Sequence, residues 1–250
     1  MKEIPTAIEK ILSILDNYKV LYWLEAGTLL KGVRDKDILK SSDFDVATTS
    51  DNVEKIFEAL KELESEGYQL NFQGGFPMFE DLIQIKLPQK INRIDLFEIY
   101  VYHEFNGAFI RRNPHKPTQN TFSKHLFALS KKISIMKKNH IYFDEQKKHS
   151  LIVLQKLVAK IIFSIYEFFG TTTWSIAPSY FFDNLTSRKI NNRIFKIPKS
   201  YKEYLLLRYG ENWNEPIDRD IWFKSWKKGE SDFLEEKKLS ENFKIPKIWL

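Results

Sequence analysis

The chain has 250 residues, 43% hydrophobic and 15% aromatic, enough apolar material for a large folded core. It has no cysteine, which excludes disulfides, thiolate metal sites and thiol nucleophiles. A net charge of +6 and a pI of about 9.1 favour an anionic partner: a nucleotide, a phosphorylated glycan, an acidic lipid or a nucleic acid. Residues 5 to 18 place Ile8, Ile11, Leu12 and Leu15 on one face, which predicts an amphipathic helix. This N-terminal stretch mixes acidic and basic residues without a long apolar run, so no signal peptide is expected. "VLYWLEAG" predicts a short strand ending at Ala26-Gly27, Thr28 to Val33 one turn of helix, and "FDVATT" a second strand. Asp51 and Glu54 match a capping box, opening a helix to about Glu66 with Val53, Ile56, Phe57, Leu60 and Leu63 inward. "YQLNFQG" and "LIQIKLP" alternate as strands about a Gly-Gly turn, and "INRIDLFEIYVYHEF" predicts a further long strand.

From about residue 120 the chain reads as mainly helical and basic, with breaks at Pro178, Pro198 and Pro216. In residues 151 to 170, Lys156, Lys160, Ser164 and Glu167 recur every three or four positions. That makes a narrow polar stripe on a mostly buried helix, not a lipid-spanning one. The expected division is an α/β catalytic core over 1–120 and a mainly helical region over 121–250 that completes the cleft. The basic runs at 131–138 and 145–150 suit a solvated helix face, or an anionic membrane or glycan.

The chemistry concentrates in "GTLLKGVRDKDILKSSDFDV", residues 27 to 46. Asp43 and Asp45 are two apart, so on a strand both side chains point to one face and repel each other. A hard divalent cation, Mg2+ or Mn2+, removes that repulsion and is commonly shared with substrate phosphates. Asp95, a polar position inside the apolar "RIDLFEI", is the candidate third carboxylate. Gly27 lets backbone approach a phosphate, Thr28 adds amide and hydroxyl donors, and Arg34 can make a bidentate contact. Asp35 and Asp37 share the D-x-D spacing but read as loop residues. No G-x-x-x-x-G-K-[ST] is present, so there is no P-loop. The five histidines show no metal-type spacing, which with the lack of cysteine argues against zinc. Tyr209-Gly210 predicts a helix end, and Trp213 either packs or stacks on a base or sugar ring.

"YWLEAGTLLKGVRDKDILKSSDFDV" resembles the signature of the LicD/fukutin group of the nucleotidyltransferase superfamily: a strand, Gly-Ser/Thr-Leu-Leu, an arginine, then a D-x-D strand. "RIDLFEI" is similar to the group's third-aspartate strand, and "IPKSYKEYLLLRYGENWNEP" (197–216) to its C-terminal segment. Leu39-Lys40-Ser41 stands where the group has Pro-Trp-Asp, and Lys31 replaces a glycine. The resemblance implies an α+β fold, a nucleotidyltransferase-type mixed sheet flanked by helices. It implies a metal-dependent phosphotransferase that moves phosphocholine, ribitol phosphate or glycerol phosphate from a CDP-activated donor to a sugar hydroxyl of a cell-surface or lipid-linked glycan. Asp43, Asp45 and Asp95 would hold Mg2+ or Mn2+, Asp95 also accepting the proton of the attacking hydroxyl; Gly27, Thr28 and Arg34 would hold the phosphates. The expected location is the cytoplasm or the inner membrane face, with no nucleic-acid partner. Two alternatives stay open: transfer of a nucleoside monophosphate from an NTP to a small molecule, protein or RNA, and a non-enzymatic module that binds anionic ligands.

Overall fold

In the computed structural model, residues 3–73, 82–113 and 173–216 are described, with single helical positions at 125, 158 and 161. Helix α1 (Thr6–Asn17) buries Ile8, Ile11, Leu12 and Leu15 as the helical spacing predicts. Strand β1 is only Trp23–Leu24, shorter than its apolar run, because the chain turns at Glu25 into helix α2 (Ala26–Arg34). A 3-10 turn at Ile38–Lys40 leads into β2 (Phe44–Thr49). Helix α3 (Val53–Ser65) buries Ile56, Ala59, Leu60 and Leu63, with Val53 and Phe57 packed beside them. The predicted capping box does not form. Asp51 lies in a 3-10 turn at Ser50–Asn52, and the Asn52 side chain donates to Thr49 Oγ1 and accepts from the Leu21 amide.

β3 (Gln69–Gln73), β4 (Leu82–Ile91) and β5 (Ile94–Phe105) form an antiparallel run, with Asn92 at φ 55° in the β4–β5 turn. The expected Gly-Gly turn between β3 and β4 lies outside the described residues. β6 (Ala108–Asn113) and β7 (Thr173–Pro178) extend the sheet from β5, giving seven strands with order β1-β2-β5-β4-β3 and β6-β7 branching from β5. β2 and β5 are parallel; every other pairing is antiparallel. Alternate residues Phe44, Val46, Ile83, Ile85, Phe97 and Ile99 join the apolar faces of α1 and α3 in one core. Each fully buried Ile or Leu there contributes about 1.5–3 kcal/mol.

The back half departs from its helical reading where it is described. Helix α4 (Tyr180–Asp183), the hairpin β8 (Leu185–Ile190) and β9 (Arg193–Pro198), and helix α5 (Tyr201–Tyr209) follow β7. "LTSRKI" and "RIFKIP" alternate with period two about Asn191, which takes φ 53°; frequent Lys and Arg disguise that alternation. A division near residue 120 would also cut the sheet, since β7 returns to pair with β6. The helix expected over 151–170 and the basic runs at 131–138 and 145–150 lie outside the described residues, apart from positions 158 and 161. Among the described residues no helix is long and apolar enough to cross a membrane.

The β8–β9 hairpin is tied to the front of the chain. Arg193 pairs with Glu9 and Asp16 of α1, and the Asn191 side chain accepts from the Ile38 amide at 3.2 Å. Gly32 makes that approach possible: a Cβ there would stand 3.0 Å from Ile190 Cδ1 and from Ile38 Cγ2. α5 ends at Gly210, whose φ of 78° suits glycine.

Candidate active site

The parallel register sets Asp45 of β2 beside Glu98 of β5, and the next register sets Glu98 beside Gln84 of β4. Asp45 and Glu98 are both buried, at 5% and 8% exposure, and Asp43 stands just before β2. So Asp45 and Glu98 share one sheet face, and Asp43, in the bend just before β2, lies near enough for its charge to act on both. Burial pushes the Asp45 carboxyl well above its usual range, and the charges of Glu98, Asp43 and Glu25 push it further. Burial also raises Glu98, against hydrogen bonds from Tyr100 and Gln84 and the field of Arg111.

Every carboxylate is positioned by donors. The Thr28 amide donates to Asp45 Oδ2 at 3.2 Å, and the Asp45 amide donates to Thr28 Oγ1 at 2.7 Å. The Tyr100 hydroxyl donates to Glu98 Oε2 at 2.7 Å, and Gln84 Nε2 donates to Glu98 Oε1. Ser42 Oγ donates to Asp43 Oδ2 at 2.9 Å. Glycine at position 27 lets α2 come this close: a Cβ there would lie 2.9 Å from Ser41 Oγ and 3.3 Å from Asp45 Oδ2. Ala26, just before it, is held at φ 44°, a left-handed conformation costing about 1–2 kcal/mol for a residue with a Cβ.

The expected set is therefore revised at three points. Asp95 does not join the cluster: it is exposed, and it precedes Glu98 by three residues, which turns it to the other face. Glu98 takes the third position. Thr28 directs its amide to Asp45 Oδ2, and its hydroxyl to the Asp43 carbonyl at 3.1 Å and Asp45 Oδ2 at 3.4 Å, so the start of α2 cradles a carboxylate. Arg34 sits in the last turn of α2, where its Nε donates to Asp35 Oδ1 at 2.8 Å and its Nη1 to the carbonyls of Trp213 and Glu215 at 3.4 and 3.1 Å. It clamps the C-terminal segment to α2, and Asp35 is its counter-ion rather than a free loop residue. Asp37 also has a structural role, accepting from the Leu39 amide at 3.1 Å to cap the 3-10 turn. Trp213 packs against the core.

Behind the carboxylates lies a group that sequence reading missed. Glu25, fully buried, takes Oε1 hydrogen bonds from Tyr102 at 3.2 Å and from Tyr204, and an Oε2 bond from Trp23 Nε1 at 3.2 Å. Arg208 Nη2 is 3.6 Å from Glu25 Oε1, and Arg208 Nη1 donates to Ser175 Oγ at 3.3 Å. Trp23, Tyr102, Phe109, Phe182 and Tyr204 wall this pair in, with Trp23 stacked on Phe182 at 4.7 Å. α5 is thereby bonded to the residue that opens α2. The signal that could have found it is a glutamate inside the apolar "WLEAG".

Among the described residues no group of three His, Cys, Asp or Glu side chains converges closely enough to hold an ion as it stands. The donor set nevertheless fits a hard divalent cation in its chemistry: carboxylate oxygens only, two of the three groups buried, and like charges that raise each other's affinity for protons.

A model of the family described as LicD/FKTN/FKRP, nucleotidyltransferase domain, matches residues 19–157. Among solved structures, the chain is similar to the crystal structure of the lincosamide antibiotic adenylyltransferase LnuA bound to lincomycin. The identity is 13% over 95% of this chain and 98% of that one, with a TM-score of 0.44. It is also similar to the solution structure of the antibiotic-resistance factor ANT(2'')-Ia, at 12% identity over 64% of this chain and 90% of that one, with a TM-score of 0.30. Neither likeness bears on activity. Comparison with curated proteins finds no match.

Proposed function

Starting from the LicD/FKTN/FKRP nucleotidyltransferase-domain family, to which this chain belongs, we propose a metal-dependent phosphotransferase. It moves a phospho-alcohol (phosphocholine, ribitol phosphate or glycerol phosphate) from a CDP-activated donor to a sugar hydroxyl of a surface or lipid-linked glycan. The observation that carries this reading is the pair Asp45 and Glu98 on one sheet face with Asp43 beside them, in a chain of this family. A phosphotransferase needs charge neutralisation and alignment more than covalent chemistry, and a cluster of held carboxylates is suited to that.

Asp43, Asp45 and Glu98 would hold Mg2+ or Mn2+, which when bound neutralises the diphosphate charge and polarises the reacting phosphorus. The residues themselves supply position. Thr28 fixes Asp45, while Tyr100 and Gln84 fix Glu98. The glycan hydroxyl oxygen bonds to the donor phosphorus distal to cytidine, the bond from that phosphorus to the CMP oxygen breaks, and the hydroxyl proton passes to a carboxylate oxygen of the cluster. The anionic donor and the chain's net charge of +6 are complementary, and a cytoplasmic enzyme at the inner membrane face would meet lipid-linked acceptors there.

The test is a thermal-shift screen of CDP-choline, CDP-ribitol, CDP-glycerol, CTP and ATP with Mg2+, followed by product analysis on a glycan acceptor. A ligand that binds only the folded chain raises its melting temperature by mass action. Stabilisation by a CDP-alcohol and release of CMP support the proposal. Stabilisation by an NTP alone, with nucleotide found on the acceptor, replaces it with nucleotidyl transfer.

A further inference from the structure

The sheet face that carries Asp45 and Glu98 continues along β5 through Tyr100 and Tyr102 to β6, where the register sets Arg111 beside Ser175 of β7. Arg111 is buried at 4% exposure. Its guanidinium carbon lies 4.1 Å from the Tyr100 ring centre and 5.7 Å from that of Tyr102. The hydroxyl of that same Tyr100 donates to Glu98, so one ring separates this cation from the carboxylate cluster.

Two arginines are buried among the described residues, Arg111 of β6 and Arg208 of α5, and they differ in how they are held. Arg208 has Glu25 at 3.6 Å as its counter-charge. Arg111 rests on the rings of Tyr100 and Tyr102 and pairs with no carboxylate among the described residues. A buried guanidinium is costly without an anion, and cation–π contacts return only part of that cost. Its fork of donors matches a carboxylate or a phosphate, and a phosphate is the anion that a chain of this family handles.

We infer that Arg111 is a substrate-binding residue that takes an oxygen of the donor diphosphate across Tyr100 from the carboxylate cluster. The inference rests on the phosphotransferase reading for the identity of the donor, but the chemistry it needs is a diphosphate, whatever alcohol or nucleoside is attached. In this arrangement Arg111 balances one end of the diphosphate while the Asp43, Asp45 and Glu98 cluster serves the other. Tyr100 is the spacer that keeps the guanidinium from pairing directly with Glu98.

The experiment measures binding of CDP, CMP and inorganic pyrophosphate, each with Mg2+, to the full chain by calorimetry. Wild type, Arg111→Lys and Arg111→Gln are compared, with the melting temperature of each protein checked without ligand. CDP and pyrophosphate are expected to bind at least about tenfold more weakly to Arg111→Gln, the loss of a charge-assisted contact. Arg111→Lys, a point charge without the fork, is expected to lose about fivefold or more, and it carries the test if the glutamine variant does not fold. Pyrophosphate separates the two readings. If CDP binds no better than pyrophosphate yet both depend on Arg111, the cytidine donor is wrong and this inference stands. Unchanged CDP and pyrophosphate affinity in the folded variants overturns it, as does wild-type protein that binds neither probe.

Discussion

Replacing Glu98 by Gln and, separately, Asp95 by Asn sets the observed register against the simpler sequence motif. Asp95 is exposed and three residues from Glu98, roughly 10 Å along the strand. At that range a unit charge and a divalent ion interact by about 0.8 kcal/mol in water, and physiological salt removes roughly two thirds of it. Asp95→Asn should therefore weaken Mn2+ binding by less than about twofold. A ligand oxygen stands about 2.1 Å from such an ion. Even with water-like screening, the charge removed by Glu98→Gln is then worth about 4 kcal/mol, a loss of several hundredfold. Glutamine keeps the shape and one acceptor for Gln84 or Tyr100, so the fold should survive. Mn2+ affinity by electron paramagnetic resonance, with melting curves in chelator as the control for folding, reads the difference. A folded Glu98→Gln that binds Mn2+ like wild type, beside an Asp95→Asn that has lost it, would refute the register argument.

Gly27→Ala should push Ser41 and the Asp45 carboxylate from their positions, cutting turnover about ten- to a hundredfold while the melting temperature moves only a few degrees; unchanged turnover counts against the close-approach argument. Glu25→Ala leaves Arg208 buried without its counter-ion, a cost of about 3–5 kcal/mol or roughly 10 °C in the melting temperature; differential scanning calorimetry measures it. Arg34→Gln should free the 213–216 segment to limited proteolysis and leave CDP and Mn2+ affinity within about twofold, because its donors go to Trp213, Glu215 and Asp35; a tenfold loss of CDP affinity would return Arg34 to the phosphate. Without metal, stability should fall as pH rises above the ordinary carboxylate value near 3.8. The folded state keeps protons on Asp45 and Glu98 that the unfolded chain releases, so the folded state binds more protons and loses ground with each pH step. Urea melts in chelator between pH 5 and 8 would show it, and added Mg2+ should flatten the trend.

Local signals in the sequence were legible where one element is enough to interpret them. The spacing of Ile8, Ile11, Leu12 and Leu15 marks α1, and "FDVATT" marks β2 to the residue, because helix and strand periods are local properties. The D-x-D spacing also marks Asp43 and Asp45, although β2 begins only at Phe44 and Asp43 stands in the bend before it. The third carboxylate is not a local property. "RIDLFEIY" offers Asp95 and Glu98, and which of them meets Asp45 depends on the parallel register of β2 against β5, set by residues fifty positions apart. A polar position inside an apolar run singles out Asp95, but Glu98 answers the same description, and the register chooses the glutamate flanked by Phe97 and Ile99.

Arg34 shows the same limit in another form. An arginine after a Gly-Thr turn has the right donors for phosphate, but a helix rises about 1.5 Å per residue, so seven residues carry it roughly 10 Å from Gly27. There it finds Asp35 and the carbonyls of the C-terminal segment instead. The cations left on the carboxylate face come from β6 and α5, from sequence that reads as ordinary basic surface. Arg111 and Arg208 differ from that surface only in being buried, and burial is decided by the return of β7 to the sheet and the docking of α5 against Glu25. Asp43 and Asp45 are thus written in one short motif. Glu98 and the arginines are assembled by long-range pairing, and that is why they had no local signature to find.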